Sequence, residues 1–566
     1  MAAARARELN GRIRLLLLLF ALAFAGLLAR AAWIQVVESG HYSRLAHAQH
    51  QTTYRIPPGR GTIFDRTGVQ LAIGEATTTV FADPKQVTNP SAVAIAAHRY
   101  LGVDSNALYP ALLDKHRRFV YVKRFADPAE ARPFLAKGFA GVSSYPEERR
   151  EYPQRGVASQ LVGYAGVDNK GLTGLELEYN RKLAGRPGRQ TVVRDATGRS
   201  IKVLSSSPVQ EGTDVFTTID HTIQANAEQV LRETVSRWGA KGATAIVLDP
   251  STGEVFAMAQ APGYDANLTS KVRPALTRNR AVTDTYEPGS TFKLVTVTGV
   301  LSEGLVKPTT RFKLPVCIQV ANYCIHDAEE RGVVDFSVAQ ILQYSSNVGA
   351  ITLAEKLGAA GLARWVDHFG FGRPTGIDFP GESPGIVLPL EQWSGSTIGN
   401  VPIGQGIAVT PIQMASVYAA VANGGVWVQP HLVSRVGGRA PFTPARRRIM
   451  SADVAREVKA MLKQVVRGGT GTEAAIPGYT VAGKTGTAQK PDGHGGYSSS
   501  KFVASFVGMV PASKPRLVVL VEVDEPSRAI WGGVVAAPAF QEIAKFDLQY
   551  LAVPPDAPAT AAAAAG

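Results

Sequence analysis

Three short motifs, far apart in the chain, constrain the fold most, because their side chains do chemistry only if they meet: Ser290-Thr291-Phe292-Lys293, Ser345-Ser346-Asn347 and Lys484-Thr485-Gly486-Thr487. Together they supply a nucleophile, its base, a proton relay and a carboxylate clamp, the parts of an acyl-transfer centre. Pro288 and Gly289 precede the serine and a mainly apolar run, Phe292 to Leu301, follows it, which predicts a helix opening at the nucleophile. Ser290 and Lys293 then share one face, a turn apart. The helix N-terminus offers backbone N–H groups and a positive dipole end to a developing oxyanion. An isolated match of this kind is usually a capping serine beside a solvated lysine. The ordered trio argues against that reading.

Ser345 and Asn347 fall where a helix-like run, Val338 to Tyr344, meets a second apolar stretch beginning at Val348, so both side chains are expected to project from a connection. Polar groups at such junctions also serve as caps. Tyr479 to Gly483 reads as a strand continuing through Lys484, and Gly486 is expected to remove a side chain where a substrate backbone lies alongside. The same segment formally satisfies a phosphate-loop pattern, Gly478-x-x-x-x-Gly483-Lys484-Thr485. A phosphate loop must open a helix, whereas Gly486 to Lys490 runs into Pro491-Asp492-Gly493-His494-Gly495-Gly496. Nucleotide binding is therefore set aside.

The longer runs around these motifs resemble the class B penicillin-binding proteins, and within them the division-type, FtsI-like (penicillin-binding protein 3 type) D,D-transpeptidases. They are Tyr286 to Lys293, Ser345 to Gly349, Gly404-Gln405-Gly406 through Pro411, and Gly483 to Lys490, with Arg60-Gly61-Thr62-Ile63-Phe64-Asp65-Arg66 and Gly171 to Glu176 upstream. The resemblance implies an α+β chain: a single transmembrane helix, a mixed α/β pedestal, then a serine-acyltransferase (β-lactamase-like) domain whose antiparallel sheet is flanked by helices. It implies that Lys293 takes the proton of Ser290, which attacks the penultimate D-Ala carbonyl of a donor stem peptide. Backbone N–H groups of Ser290 and Thr487 hold the oxyanion. Ser345 and Lys484 relay a proton to the leaving amine, Asn347 orients the donor amide, and Thr485, Gly486 and Thr487 form the substrate-binding strand, the two threonines taking the terminal carboxylate. An amine of a second stem peptide completes the cross-link, and β-lactams stall at the acyl stage. No cofactor is implied. The implied partners are stem peptides and lipid-linked nascent glycan, the membrane, a SEDS-type (FtsW-like) glycan polymerase and FtsQ/FtsL/FtsB-like division proteins.

Composition agrees. A chain of 566 residues, 45% hydrophobic and 19% charged, exceeds one core. The net charge of +14 has no basic run beyond Arg446-Arg447-Arg448, so nucleic acid is not an expected partner; an anionic envelope with a cytoplasmic anchor, or simply a solvated surface, accounts for it. Leu15 to Ala29 is uninterrupted apolar sequence behind Arg5, Arg7, Arg12 and Arg14, which places the N-terminus in the cytoplasm and exports the rest. Arg30 and Trp33 extend the run toward the ~20 residues a bilayer needs. Ala23-Phe24-Ala25 mimics a signal-peptidase site, and the resemblance favours an uncleaved anchor in the inner membrane. Cys317 and Cys324 are disulfide candidates across a hairpin turn, and family members generally lack this pair. The 10 histidines show no ligand spacing, so no metal is expected.

The expected division is 1–14 cytoplasmic, 15–37 anchor, 38–212 pedestal, 213–551 transpeptidase domain and 552–566 disordered tail. The pedestal holds no nucleophile cluster and no paired-acid glycosyltransferase motif; Asp65, Arg66, Glu176 and Glu178 read as structural ion pairs. Glu287 before Pro288 looks like the division-type signature, where elongation-type relatives usually show proline, so septal synthesis is the expected role. The competing readings are an elongation-type transpeptidase, a D,D-carboxypeptidase or β-lactamase using water as acceptor, and a β-lactam sensor.

Overall fold

The computed structural model describes residues 2–194, 200–269, 272–494 and 496–557. Two units separate by contact. One contains residues 1–58 and 185–211; the other contains 59–184 and 212–566.

In the first unit a helix runs over Ala2–Val36, a second over Ser39–His50, and strands Gln51–Ile56, Gly188–Arg194 and Ser200–Ser207 form an antiparallel sheet. Asn10–Val36 is a 27-residue apolar stretch with no side chain buried in protein, long enough to cross a bilayer.

The second unit is built on a five-stranded antiparallel sheet. Its strands are β1 (Gly242–Leu248), β2 (Val255–Ala261), β3 (Ala482–Pro491), β4 (Tyr497–Val510) and β5 (Leu517–Asp524), in spatial order β2-β1-β5-β4-β3. Every residue of β1 is buried because helices cover both faces. Ala245 and Val247 point to one side and Ile246 and Leu248 to the other, following the two-residue period of a strand. Helices α1 (His221–Trp238) and α6 (Gly532–Tyr550) pack on the first face. The opposite face carries α2 (Lys293–Ser302), α3 (Asn347–Phe369), α4 (Pro411–Ala422) and α5 (Ala452–Gly468). Local chemistry sets these helices. In α5 the buried residues Ala455, Val458, Met461, Leu462, Val465 and Val466 recur at helical spacing, and Ser451 caps the start by accepting from the Val454 N–H. In α1 Asp220 accepts from the N–H groups of Thr222 and Ile223, and Gly239 ends the helix at φ 58°.

Three expectations are corrected. Strand β3 starts at Ala482 rather than Tyr479, and it forms an edge of the sheet, with β4 and β5 both on one side. Val215–Thr217, at the start of the segment expected to form a separate domain from residue 213, does not join this five-stranded sheet. It pairs in parallel with Ile63–Phe64 and antiparallel with Val433–Val436, inside a sheet that continues through Gln70–Ala82. The two halves of the chain therefore share a sheet and a core, in which Ile63, Leu71 and Leu175 belong with Ile246, Leu294 and Val507. The tail is ordered as far as Ala557, because the Asp556 carboxylate accepts from Thr480 N–H and the hydroxyls of Thr480 and Ser513; residues 558–566 lie outside the described residues.

The charged residues of the Arg60 and Glu176 motifs pair internally. Glu176 is fully buried between Arg60 (Nη2 at 2.5 Å) and Arg150 (Nε at 2.6 Å). Asp65 accepts from the N–H groups of Thr67, Val69 and His221 and from His221 Nδ1. Asp65, Asp220 and His221 have metal-ligand types close together, but Asp65 has its lone pairs already occupied by these donors.

Candidate active site

Ser290 sits on a tight 3-10 turn, Gly289–Phe292, that leads into α2, so the helix begins at Lys293, not at the serine. The turn is pinned at three points. Gly289 N–H donates to Gly404 O at 3.0 Å, Tyr418 of α4 donates to Thr291 O at 2.9 Å, and Thr291 Oγ1 donates to Pro288 O at 2.7 Å. Gly404 has φ 78°, and a Cβ there would lie 2.1 Å from Gly289 O. The Gly404-Gln405-Gly406 run thus holds the nucleophile turn by backbone approach that only glycine allows.

Lys293 enters the interior from the first position of α2. Its Nζ donates to Ser345 O at 2.5 Å and Asn347 Oδ1 at 2.8 Å, and lies 3.2 Å from Ser345 Oγ. Lys484, from β3, places its Nζ 2.9 Å from the same Ser345 Oγ. Ser345 adopts φ 58°, unusual for a residue with a side chain, in the connection just before α3. A residue held there costs on the order of 1–3 kcal/mol, which the surrounding contacts must offset. The strain sets Ser345 Oγ between two amines.

Both lysines are fully buried, and burial is the first reason their ammonium forms are disfavoured. Lys293 falls to about 7, with Asp327 opposing the shift and Arg331 adding to it. Lys484 falls well below its ordinary value through burial and then the charge of Lys293. A neutral Lys293 has two N–H donors, and Ser345 O and Asn347 Oδ1 accept both; its lone pair is left for a hydroxyl proton.

Asn347 begins α3 and donates from Nδ2 to His326 O at 3.0 Å. Ser346 faces the other way. Fully buried, it donates to Asp327 Oδ1 at 2.9 Å and caps α3 by accepting from Gly349 N–H. The segment holding both follows the hairpin Cys317–Val320 and Tyr323–His326, where Cys317 and Cys324 are joined as a disulfide with Cα atoms 5.6 Å apart. Sequence reasoning missed Asp327 and Arg331, which line the cleft and pair at 3.6 Å, because nothing in Asp-Ala-Glu-Glu-Arg marks them.

Ser290, Ser345, Asn347, Thr485 and Thr487 open on one cleft of about 570 Å³. Thr487 Oγ1 accepts from Gly532 N–H at 3.0 Å, which leaves its own proton to donate, and Thr485 Oγ1 shares a 2.7 Å hydrogen bond with Thr470 Oγ1. Gly486 is corrected. A Cβ there would meet Ser505 Oγ at 2.3 Å and Pro288 O at 2.9 Å, so the glycine admits the nucleophile turn against the inner face of the sheet rather than a substrate outside it. The phosphate-loop reading also ends here, because Gly483 and Lys484 lie inside a strand.

A serine on a pinned turn and a second serine between two buried lysines, at the edge of an antiparallel sheet, define a serine acyltransferase of the penicillin-binding class. Residues 243–545 match the penicillin binding protein transpeptidase domain, and residues 55–217 the penicillin-binding protein dimerisation domain. The chain is 33% identical over 558 residues to the probable peptidoglycan D,D-transpeptidase PbpC of Pseudomonas aeruginosa, covering 97% of this chain and 96% of that one. It is 32% identical over 563 residues to the peptidoglycan D,D-transpeptidase FtsI of Escherichia coli K12, covering 98% and 94%. A crystal structure of penicillin-binding protein 3 from Mycobacterium tuberculosis with aztreonam superposes with a TM-score of 0.71 at 30% identity, covering 89% of this chain and 99% of that one. The chain belongs to the class B penicillin-binding proteins and is a serine-type D-Ala-D-Ala transpeptidase.

Proposed function

We propose that Ser290 is the nucleophile of a peptidoglycan D,D-transpeptidase, with Lys293 its base and Ser345, Asn347 and Lys484 completing the proton path. The convergence of Lys293 and Lys484 on one hydroxyl, Ser345 Oγ, beside Ser290 in the same cleft carries this reading. In the first step Ser290 Oγ bonds to the penultimate D-Ala carbonyl carbon while its proton passes to neutral Lys293. The bond to the terminal D-Ala nitrogen then breaks, and the proton reaches that amine through Ser345 and Lys484. The N–H groups of Ser290 and Thr487 stabilise the oxyanion, while the hydroxyls of Thr485 and Thr487 take the terminal carboxylate. In the second step a stem-peptide amine attacks the ester, giving the cross-link and freeing Ser290. Incubated with donor and acceptor stem peptides, the enzyme forms cross-linked dimer. Formation of trimmed monomer alone would make it a carboxypeptidase.

The pedestal and transpeptidase domains are assigned to 38–212 and 213–551, with the N-terminal helix a retained anchor, its N-terminus cytoplasmic and the catalytic unit outside the inner membrane. Arg12 and Arg14 before the apolar stretch support this orientation. Septal synthesis beside a SEDS-type polymerase and FtsQ/FtsL/FtsB-like proteins is the assigned role, on the ground of Glu287. Depletion gives filaments or chains with the enzyme at midcell; rounded, swelling cells would place it in wall elongation instead. N-terminal sequencing that found a mature chain beginning at Gly26 would end the anchor assignment.

A further inference from the structure

Ser345 stands where a chain usually places glycine. The short helix Val338–Gln343 ends just before it, with Ser345 N–H donating to Leu342 O at 3.3 Å and Ser346 N–H to Ile341 O at 2.9 Å. A helix closed by this pair of bonds continues through one left-handed residue, and Ser345 supplies it at φ 58°. Glycine would take the turn without strain but would bring no hydroxyl. Because Ser345 Oγ lies 3.2 Å from Lys293 Nζ and 2.9 Å from Lys484 Nζ, a relaxed backbone here would withdraw it from both amines.

Two side chains outside the three motifs grip this connection from either side. Before Ser345, the Tyr344 carbonyl is among the last of its helix and has no partner further along that helix; Arg331 donates to it from Nη1 and from Nη2, each at 3.3 Å. After Ser345, Asp327 Oδ1 accepts from Ser346 Oγ at 2.9 Å and from Val348 N–H at 3.0 Å. The grip closes on itself, because Arg331 Nη1 lies 3.6 Å from Asp327 Oδ2. Arg331 is fixed in turn by Glu329 Oε2 at 2.6 Å and by the rings of Phe336 and Tyr344, 5.8 and 5.6 Å from its guanidinium carbon. Residues 344, 346 and 348 are thus tied to one ion pair, with Ser345 between them.

We propose that Asp327 and Arg331 are positioning residues for acyl transfer, holding Ser345 in its left-handed turn so that its hydroxyl stays between the two lysines. This rests on the assignment of Ser345 to the proton path. The charges of the pair also face Lys293: Asp327 favours its ammonium form and Arg331 opposes it. The other charged groups around this space are Lys484 from β3, Glu329, which is paired with Arg331, and Glu473, which lines the same cleft. Removing Arg331 therefore raises the titration of Lys293 above about 7, and neutralising Asp327 lowers it.

The test is stopped-flow acylation of the full-length protein in detergent micelles by benzylpenicillin, read as a limiting rate and, separately, the dissociation constant of the noncovalent complex. At the high-pH plateau, where Lys293 is neutral in every variant, Asp327→Ala and Arg331→Met lower the limiting rate at least about tenfold and leave the dissociation constant nearly unaltered. Asp327→Asn keeps an oxygen for Ser346 and Val348 and recovers part of the rate. Arg331→Lys keeps the charge without the two-pronged hold on Tyr344 O and does not recover it. These two variants keep most of the side chain and carry the same comparison if Asp327→Ala does not fold. The pH midpoint moves up in Arg331→Met and down in Asp327→Asn. On a Ser345→Ala background Arg331→Met has no further effect on the plateau rate, because it acts through the Ser345 hydroxyl. Parent rates in the variants, a loss confined to the dissociation constant, midpoints that move the same way, or an undiminished Arg331→Met effect on the Ser345→Ala background overturns the proposal. A Ser345→Ala protein that acylates at the parent rate would instead overturn the proton path, and the positioning role with it.

Discussion

At the scale of single residues, two buried amines, Lys293 and Lys484, share one hydroxyl, that of Ser345. In the proposed mechanism Lys293 takes the Ser290 proton and so must be neutral, and burial brings its titration to about 7. The rate of acylation by benzylpenicillin is therefore expected to rise with pH through about 7 and level off above it, as the amine loses its proton. Lys293→Arg stays charged at every accessible pH and should lower that rate by ~10²- to 10⁴-fold. Stopped-flow measurement of acylation across this range checks both, and a profile flat through neutrality contradicts the assignment. Ser290, Lys293, Ser345, Asn347 and Lys484 were legible in the sequence because each sits in a short motif whose chemistry depends on residue type and local spacing. Gly404 and Tyr418 could not be read that way. They act on the nucleophile turn through a backbone oxygen and a long-range hydroxyl, which only the folded chain brings near. Gly486 was legible as a close approach, but its inward direction needed the sheet.

Among the elements, the turn before α2 depends on the Gly404 loop more than on its own residues. Gly404→Ala would force a side chain into a left-handed backbone and onto Gly289 O, and it is expected to cost about 1–3 kcal/mol and to slow acylation by displacing Ser290. Thermal melting and penicillin labelling read the two effects; wild-type values in both would show that the loop does not hold the turn. The disulfide hairpin offers an independent check. It ends at His326, whose carbonyl holds Asn347 Nδ2, and Asp327 follows to hold Ser346. Because the closed loop is short, Cys324→Ser should remove at most about 2–3 kcal/mol. It should still slow acylation severalfold by loosening Asn347, and identical labelling rates in oxidised and substituted protein would contradict this. Apolar runs such as Ala243 to Leu248 and Leu517 to Val523 coincide with β1 and β5, but their order in the sheet is not written in those runs. The pairing of β5 with β1 joins segments from opposite ends of the domain, and no local pattern encodes it.

For the molecule as a whole, the shared sheet and core make the Gly59–Ala184 segment part of the folded catalytic unit. The boundary expected near residue 212 separates a segment without a nucleophile cluster from the one that carries the three motifs. The structure carries Val215–Thr217 across it, because that strand completes a sheet with Ile63–Phe64. Glu176, buried between Arg60 and Arg150, ties this segment together. Glu176→Ala strands two guanidinium groups away from water and is expected to destabilise the unit by about 3–5 kcal/mol. Penicillin labelling should then be lost on heating in the same transition as the fluorescence change, at a lower temperature than in the parent. If labelling persisted to the parent's melting temperature, the two halves would be folding independently.

Acylation of Ser290 is read by intact-mass spectrometry of the full-length protein after exposure to benzylpenicillin. The expected result is a gain of one penicilloyl group that persists through slow hydrolysis and maps to the peptide containing Ser290, and no gain in Ser290→Ala. A Ser290→Ala protein that still acquires the adduct, or a parent protein that turns penicillin over rapidly without accumulating one, would contradict it.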